Sequence, residues 1–316
     1  MQSFTLYYAS DIHGSELLWR KFINAGQFYG ADVLVMGGDL TGKGIVPIVR
    51  NDRGRWEATF MGRHVVARNE RKLAELEDDI LFNGMYPYRC EAEEARALAD
   101  DEERQDALFE ELAAATVARW MALADERMPD TGQQCFVMPG NDDAWSIDGA
   151  FPGHRIRNCD QEVIDLGGGY SMLSLCYANR TPWDSPRELD ESDLEERIET
   201  LAAQVPDMRR AIFNLHVPPY DSELDTAPEL DATFKPVFRG GKPVLIPVGS
   251  TAVRAAIERH QPLLGIHGHI HESKAMTRIG RTVCVNPGST YNAGTIDGVL
   301  LRVEGDEVGH VQFTCG

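Results

Sequence analysis

Asp11-Ile-His13 sets a carboxylate and an imidazole two residues apart, just beyond the apolar run Phe4 to Ala9. In extended chain, side chains at i and i+2 project to the same side, so this pair can chelate one cation. Gly268-His269-Ile-His271 repeats the spacing with two imidazoles. Asp39 follows two glycines, which let backbone approach closely and leave its carboxylate free to bridge two ions. Asn141, again after glycine, offers a neutral oxygen, and His216 ends the run Ala211-Ile-Phe-Asn-Leu. Oxygen and imidazole donors without a thiolate suit Mn, Fe, Zn or Ni and argue against a structural zinc site. Taken one at a time, these residues are as well explained by turn and cap chemistry, where Asp and Asn abound. Their common position separates them from that explanation. Each lies just past a run that reads as a strand, where the loops of open α/β sheets build ligand sites.

The elements that must carry them follow from pattern. Phe4 to Ala9 reads as a strand, Glu16 to Ala25 as a helix, and Asp32 to Met36 as a buried strand, the start of a βαβ unit and of a parallel or mixed sheet. Residues 43–130 read as an insertion. Ile45 to Arg50 and Arg55 to Phe60 flank the hairpin loop Asn51-Asp-Arg-Gly54. Leu73, Leu76 and Ile80 then mark a helix ending near Gly84, and a Glu/Ala-rich helix, continuous or broken, covers Glu91 to Arg127 until Pro129 and Gly132 stop it. Strands resume at Cys135-Phe-Val-Met and at Tyr170 to Tyr177. Ser192-Asp-Leu-Glu195 reads as a capping box before a helix with face Leu194, Ile198, Leu201 and Val205. Ser250 opens another helix, to about His260, and Leu263 to Ile266 leads into the terminal histidine pair. Gly167-Gly-Gly169 lacks a strand-to-helix setting and reads as a turn.

With these motifs in order, the chain resembles the calcineurin-like metallophosphoesterase superfamily, whose series runs D-x-H, G-D, G-N-x-D/E, H and G-H-x-H. Here it reads Asp11-Ile-His13, Gly38-Asp39, Gly140-Asn141-Asp142-Asp143, His216 and Gly268-His269-Ile-His271, followed by Asn286-Pro-Gly-Ser289. Thr181-Pro-Trp183, Ser185-Pro-Arg-Glu188 and His216-Val-Pro-Pro-Tyr220 look more like a bacterial-type branch than the eukaryotic protein phosphatases. The resemblance implies one α/β domain over residues 1–316, a four-layer α-β-β-α sandwich of two mixed sheets with the 43–130 insertion within it. It implies two divalent metal ions, the first held by Asp11, His13 and His271, the second by Asn141, His216 and His269, with Asp39 bridging. A metal-bridging hydroxide is then the expected nucleophile, and two ions can clamp both attacking and leaving oxygens. Two divalent ions, two carboxylates and one hydroxide leave a local charge of about +1.

One departure bears on specificity. The position after the Gly-Asn pair is commonly His in the family, assigned to protonating the leaving group or steadying the phosphate; here it is Asp142, the candidate catalytic residue at that place. Weaker general-acid help, roughly 10²–10⁴-fold, favours good leaving groups and diesters over monoesters. A phosphodiesterase is the expected function. A phosphomonoesterase, or a non-catalytic protein-binding scaffold of the same fold, is the alternative. Asn179, Thr181 and Trp183 follow a strand and are candidate substrate contacts. His267 reads as a packed strand-end histidine, Asp143 and Trp145 as pocket-lining or as a cap and a rim aromatic, and His154 as a surface-loop residue.

The whole-chain balance narrows the partners. Over 316 residues, 31 Lys+Arg stand against 50 Asp+Glu, a net −19. That sign repels polyanions, so a small phosphate ester is the expected partner rather than a nucleic-acid polymer or a membrane. Six scattered cysteines without a C-x-x-C pair give neither a zinc ribbon nor a disulfide framework. The N-terminal stretch lacks a basic region followed by an apolar one, and no apolar run approaches about 20 residues, so the cytoplasm is the expected compartment. Oligomeric state is left open.

Overall fold

The computed structural model describes residues 3–128, 132–151 and 153–316. Its α-helices are α1 (Glu16–Tyr29), α2 (Glu70–Phe82), α3 (Ala92–Ala99), α4 (Glu102–Arg127), α5 (Glu191–Ala202) and α6 (Thr251–His260). Two 6-stranded mixed sheets form the centre. The first runs, edge to edge, Glu307–Cys315, Asp297–Glu304, Ser3–Ala9, Val33–Met36, Gln134–Val137 and Arg157–Asn158, parallel from Ser3–Ala9 onward. The second runs Ala275–Ile279, Thr282–Asn286, Leu264–Ile266, Ala211–Leu215, Tyr170–Leu175 and Glu162–Gly167, with the four inner strands parallel.

Alternation along the strands explains the layering. Leu6, Tyr8, Val33 and Val35 enter the core between the sheets, where they meet Met172, Ile212, Leu264 and Ile266. Their neighbours Tyr7, Ala9, Leu34 and Met36 face the other way, into a cluster with Leu18, Trp19 and Phe22 of α1 and Val117, Trp120 and Met121 of α4. Strands buried on both faces have no polar face to show, which is why these runs are apolar throughout. The second sheet is covered in the same way by Leu194 and Ile198 of α5 and Val253 and Ile257 of α6. The result is the four-layer α-β-β-α sandwich. Helix α1 starts where the Ser15 hydroxyl accepts from the Leu18 N–H and stops at Gly30 in left-handed conformation.

Residues 45–91 make a 4-stranded sheet in the order Arg63–Ala67, Trp56–Phe60, Ile45–Arg50, Tyr86–Glu91. Val46, Ile48, Ala58, Leu73, Leu76 and Ile80 form a separate cluster between this sheet and α2. The expected hairpin is present, with two further strands. Arg63-His-Val-Val-Ala is an edge strand with mostly exposed side chains, and Tyr86-Pro-Tyr is interrupted by proline, so neither shows a clean alternation. The Glu/Ala-rich stretch is broken at Asp100, and Asp101 caps α4 through the Arg104 N–H at 3.1 Å. Pro129 lies outside the described residues.

Two expected boundaries are corrected. Helix α5 begins at Glu191 after an extended Asp190, so Ser192 sits in its first turn and caps nothing. The Glu191 carboxylate instead reaches the start of α6, accepting from the Ser250 hydroxyl at 2.7 Å and from the Thr251 and Ala252 N–H groups at 3.0 and 2.8 Å. The Tyr170 strand ends at Leu175 because the Cys176 N–H turns to the Asp160 carboxylate at 2.8 Å. No helix among the described residues is long and apolar enough to cross a membrane.

Candidate metal centre

Asp11 and His13 lie past Ser3–Ala9, Asp39 past Val33–Met36 and Asn141 past Gln134–Val137, all on the first sheet. His216 follows Ala211–Leu215, and His269 and His271 follow Leu264–Ile266, on the second. The C-terminal ends of parallel strands from both sheets thus meet in one place, where open α/β sheets form their ligand sites. Short backbone bonds fix the turns: Asp11 N–H to Gly38 O at 2.9 Å, His13 N–H to Asp39 O at 3.0 Å, and Gly268 N–H to His216 O at 2.9 Å. Across the sheets, the His269 N–H donates to the Asp11 carboxylate at 3.0 Å. The Ser289 hydroxyl donates to the Asp11 carbonyl at 2.7 Å.

Six of the seven motif residues fall in two overlapping groups, with Asn141 beside His216. Donor atoms of Asp11, His13, Asp39 and His271 lie within 4.8 Å of one another, and so do those of Asp39, His216 and His269. Asp39 belongs to both. His13 Nε2 and His271 Nε2 are 3.0 Å apart, with Asp39 Oδ2 3.7 Å from the former and Asp11 Oδ1 3.5 Å from the latter. On the other side, His216 Nε2 is 3.1 Å from Asn141 Oδ1 and 3.4 Å from Asp39 Oδ1. Its Nδ1–H donates to the Gly37 carbonyl at 2.8 Å, leaving Nε2 as the inward-facing donor atom. Imidazole nitrogens aimed at each other and at shared carboxylates fit divalent-cation binding. The arrangement is held against strain, since Asp11, His13, Asp39 and His269 have φ of 58°, 41°, 51° and 66°. Non-glycine residues in that region cost on the order of 1 kcal/mol or more each and gather at functional sites.

No family model matches the chain. Over 156 residues it is 26% identical to an uncharacterized protein of Methanocaldococcus jannaschii, a match covering 49% of this chain. The chain spans 63% of the length of that curated relative. A solved crystal structure superposes with a TM-score of 0.59 at 16% identity, covering 99% of this chain and 98% of its own. A Thermus thermophilus protein is similar at a TM-score of 0.53 and 14% identity, with the same coverage. The likeness is one of fold. It assigns neither an activity nor a branch.

Electrostatics divides the histidines. Burial pushes His13 down to about 3 and His269 to about 4, so both offer neutral nitrogens. Burial also opposes charge on His216, but the Asp39 carboxylate beside it lifts it to about 9. His271 is raised in the same way by Asp11, against burial. Burial works against both carboxylates, yet His271 holds Asp11 below the usual range and His216 holds Asp39 well below it. Each carboxylate is therefore held in its charged form, paired with the histidine beside it.

Several residues support the cluster, of which Tyr291 and Lys43 carry no signal in the sequence and Asp143 and Asn286 stand in its motifs. Asp143, fully buried, accepts from the Leu40 N–H at 3.0 Å, the Thr41 N–H at 2.8 Å, the Thr41 hydroxyl at 2.6 Å and the Gly140 N–H at 2.8 Å. It ties the Asp39 turn to the Asn141 turn rather than lining a pocket. The Asn286 amide donates to the carbonyls of Leu224, Gly268 and Ile270 at 3.0–3.2 Å, fixing the histidine pair. The Tyr291 ring packs on His13 at 4.7 Å. Lys43 forms an ion pair with Asp142, whose own N–H donates to Asp39 Oδ1 at 3.1 Å.

The candidate substrate contacts are placed less decisively. The Thr181 hydroxyl and N–H both bind the Glu188 carboxylate, and the Asn179 amide donates to the Val248 carbonyl at 3.4 Å. Trp183 is 64% exposed, with its ring 6.2 Å from that of Phe234. Ser185, two residues on, comes within 3.5 Å of Asp142 Oδ1. Trp145 is a rim aromatic under the Arg187 guanidinium, and His267 is packed with its Nδ1–H on the Leu215 carbonyl at 2.8 Å. His154 is anchored by its backbone to Asp125, away from the cluster.

Proposed function

We propose that this chain is a metal-dependent phosphoester hydrolase with a two-ion centre, acting on phosphodiesters in preference to monoesters. The observation that carries the proposal is the sharing of Asp39 between two donor groups, Asp11/His13/His271 and His216/His269, with Asn141 Oδ1 beside His216. Two divalent ions in such a site supply charge that polarises the phosphate and makes water a nucleophile near neutral pH. The protein's part is to hold the donors. Asp11 and Asp39 are fixed by backbone N–H groups, and His216 is oriented by the Gly37 carbonyl. The diester preference rests on Asp142. No imidazole stands there to give a proton to a poor leaving group, so leaving groups that depart without one are favoured.

The proposal is tested with protein purified without chelator. The expected result is close to two equivalents of metal per chain and turnover of an aryl phosphodiester with Mn²⁺, Fe²⁺, Zn²⁺ or Ni²⁺. Asp39→Asn should lower kcat/KM by at least about 100-fold. Faster hydrolysis of a simple alkyl monoester than of the aryl diester would establish the phosphomonoesterase instead. Near-zero metal and no turnover after Mn²⁺ addition would leave a protein-binding scaffold.

A further inference from the structure

We propose that Lys43 is a substrate-contacting cation of this centre, held over the donor cluster by Asp142 and delivered there by the insertion; the proposal rests on the phosphoesterase reading above. An unneutralised carboxylate at position 142 would repel the incoming phosphate. Asp142 Oδ2 is instead paired with Lys43 Nζ, and lies 4.0 Å from His13 Nδ1. With the Asp142 N–H on Asp39 Oδ1 at 3.1 Å, these contacts set the ammonium beside the His13–Asp39 side of the cluster. The Lys43 side chain is 40% exposed, so it stands at the mouth of the site and not behind it. An ammonium carries three donors, of which Asp142 takes one. The others suit the non-bridging oxygens of a phosphate, for which lysine acts as a point charge.

The lysine's place is built, not incidental. The Lys43 N–H donates to the Gly84 carbonyl at 2.9 Å, and the Gly42 N–H to the Tyr86 hydroxyl at 2.8 Å. Gly14, Gly42 and Gly84 pack so closely that a Cβ on Gly84 would strike the His13 carbonyl and one on Gly14 the Gly42 backbone. The starts of Ile45–Arg50 and Tyr86–Glu91, neighbouring parallel strands of the inserted sheet, are thereby pressed against the turn that carries His13. On this geometry the base of the insertion presents a fixed positive charge to the phosphate, paired with the residue at position 142, where the resemblance puts an imidazole. A charge that donates hydrogen bonds without giving up its proton steadies the phosphate and the departing oxygen, which agrees with good leaving groups.

The test compares wild type with Lys43→Met and Lys43→Arg, each metal-loaded and matched by elemental analysis. Two readouts are taken: the dissociation constant of inorganic phosphate by equilibrium dialysis, and kcat/KM for an aryl phosphodiester. Lys43→Met should weaken phosphate binding by about 10- to 100-fold and kcat/KM similarly, with metal content and melting temperature unchanged. Lys43→Arg should recover most of the phosphate affinity. Wild-type affinity in Lys43→Met at equal metal content overturns the proposal. A wild type that takes up metal but hydrolyses no ester sinks the hydrolase reading alone, because the phosphate comparison still decides the lysine's role. A wild type that takes up no metal overturns both.

Discussion

His267 opens the run His267-Gly-His-Ile-His271 but takes no part in the donor cluster. Its ring is wholly buried, and burial pushes it down to about 4. Between that value and the unfolded 6.5, the unfolded chain binds the extra proton, so stability falls as pH drops through this window. The loss approaches about 3 kcal/mol by pH 4. His267→Gln keeps a donor for Leu215 and cannot titrate. Denaturant unfolding of chelator-treated protein between pH 7 and 4 should show an acid slope shallower by about one proton in the variant. Superimposed curves would show that the buried imidazole is not what acid attacks.

At this scale the donor set was legible because its chemistry is rare in combination: carboxylates, an amide and imidazoles, each just past a strand. Lys43 was not, since a lysine between glycines in Thr41-Gly-Lys-Gly44 looks like any loop cation. From sequence, the Asp142 carboxylate is expected to repel a phosphate unless protonated or turned away, and its pairing with Lys43 is a contact made only by the fold.

Among the elements, the turn after Val33–Met36 and the turn after Gln134–Val137 depend on the single carboxylate of Asp143. Burial, then Asp39, push it up despite its four donors. Asp143→Ala would strand the buried N–H groups of Leu40, Thr41 and Gly140, at about 1–3 kcal/mol for each left unsatisfied. Thermal unfolding should therefore move down by about 5–10 °C, and metal retention after gel filtration should fall with it. An unchanged melt would mean that the turns hold themselves. The family pattern carried Asp143 as part of a motif, and only the fold shows that it holds the loops together. Long apolar strands and the helix starts at Glu16 and Ser250 could be read directly. The edge strand Arg63–Ala67 could not, because its mostly exposed side chains show no alternation, and neither could the start of α5, where Glu191 engages the distant Ser250 turn.

For the molecule as a whole, the net charge of −19 surrounds the donor cluster. On the proposed function, a diester anion would have to cross that field before a metal-loaded centre is close enough to matter. Salt shortens the reach of the surface charges from about 30 Å at 0.01 M to about 8 Å at 0.15 M, while leaving buried groups less affected. Over that range kcat/KM should rise, by about 2- to 10-fold. A fall would reveal a positive funnel that the composition hides.

The donors hang from two slabs, Asp11, His13, Asp39 and Asn141 on one and His216, His269 and His271 on the other. Any cation gripped there works as a rivet through the seam between them. Withdrawn, it leaves the slabs glued by Leu6, Val33, Ile212 and Ile266 and stitched at this seam by the His269–Asp11, Ser289–Asp11 and His216–Gly37 hydrogen bonds.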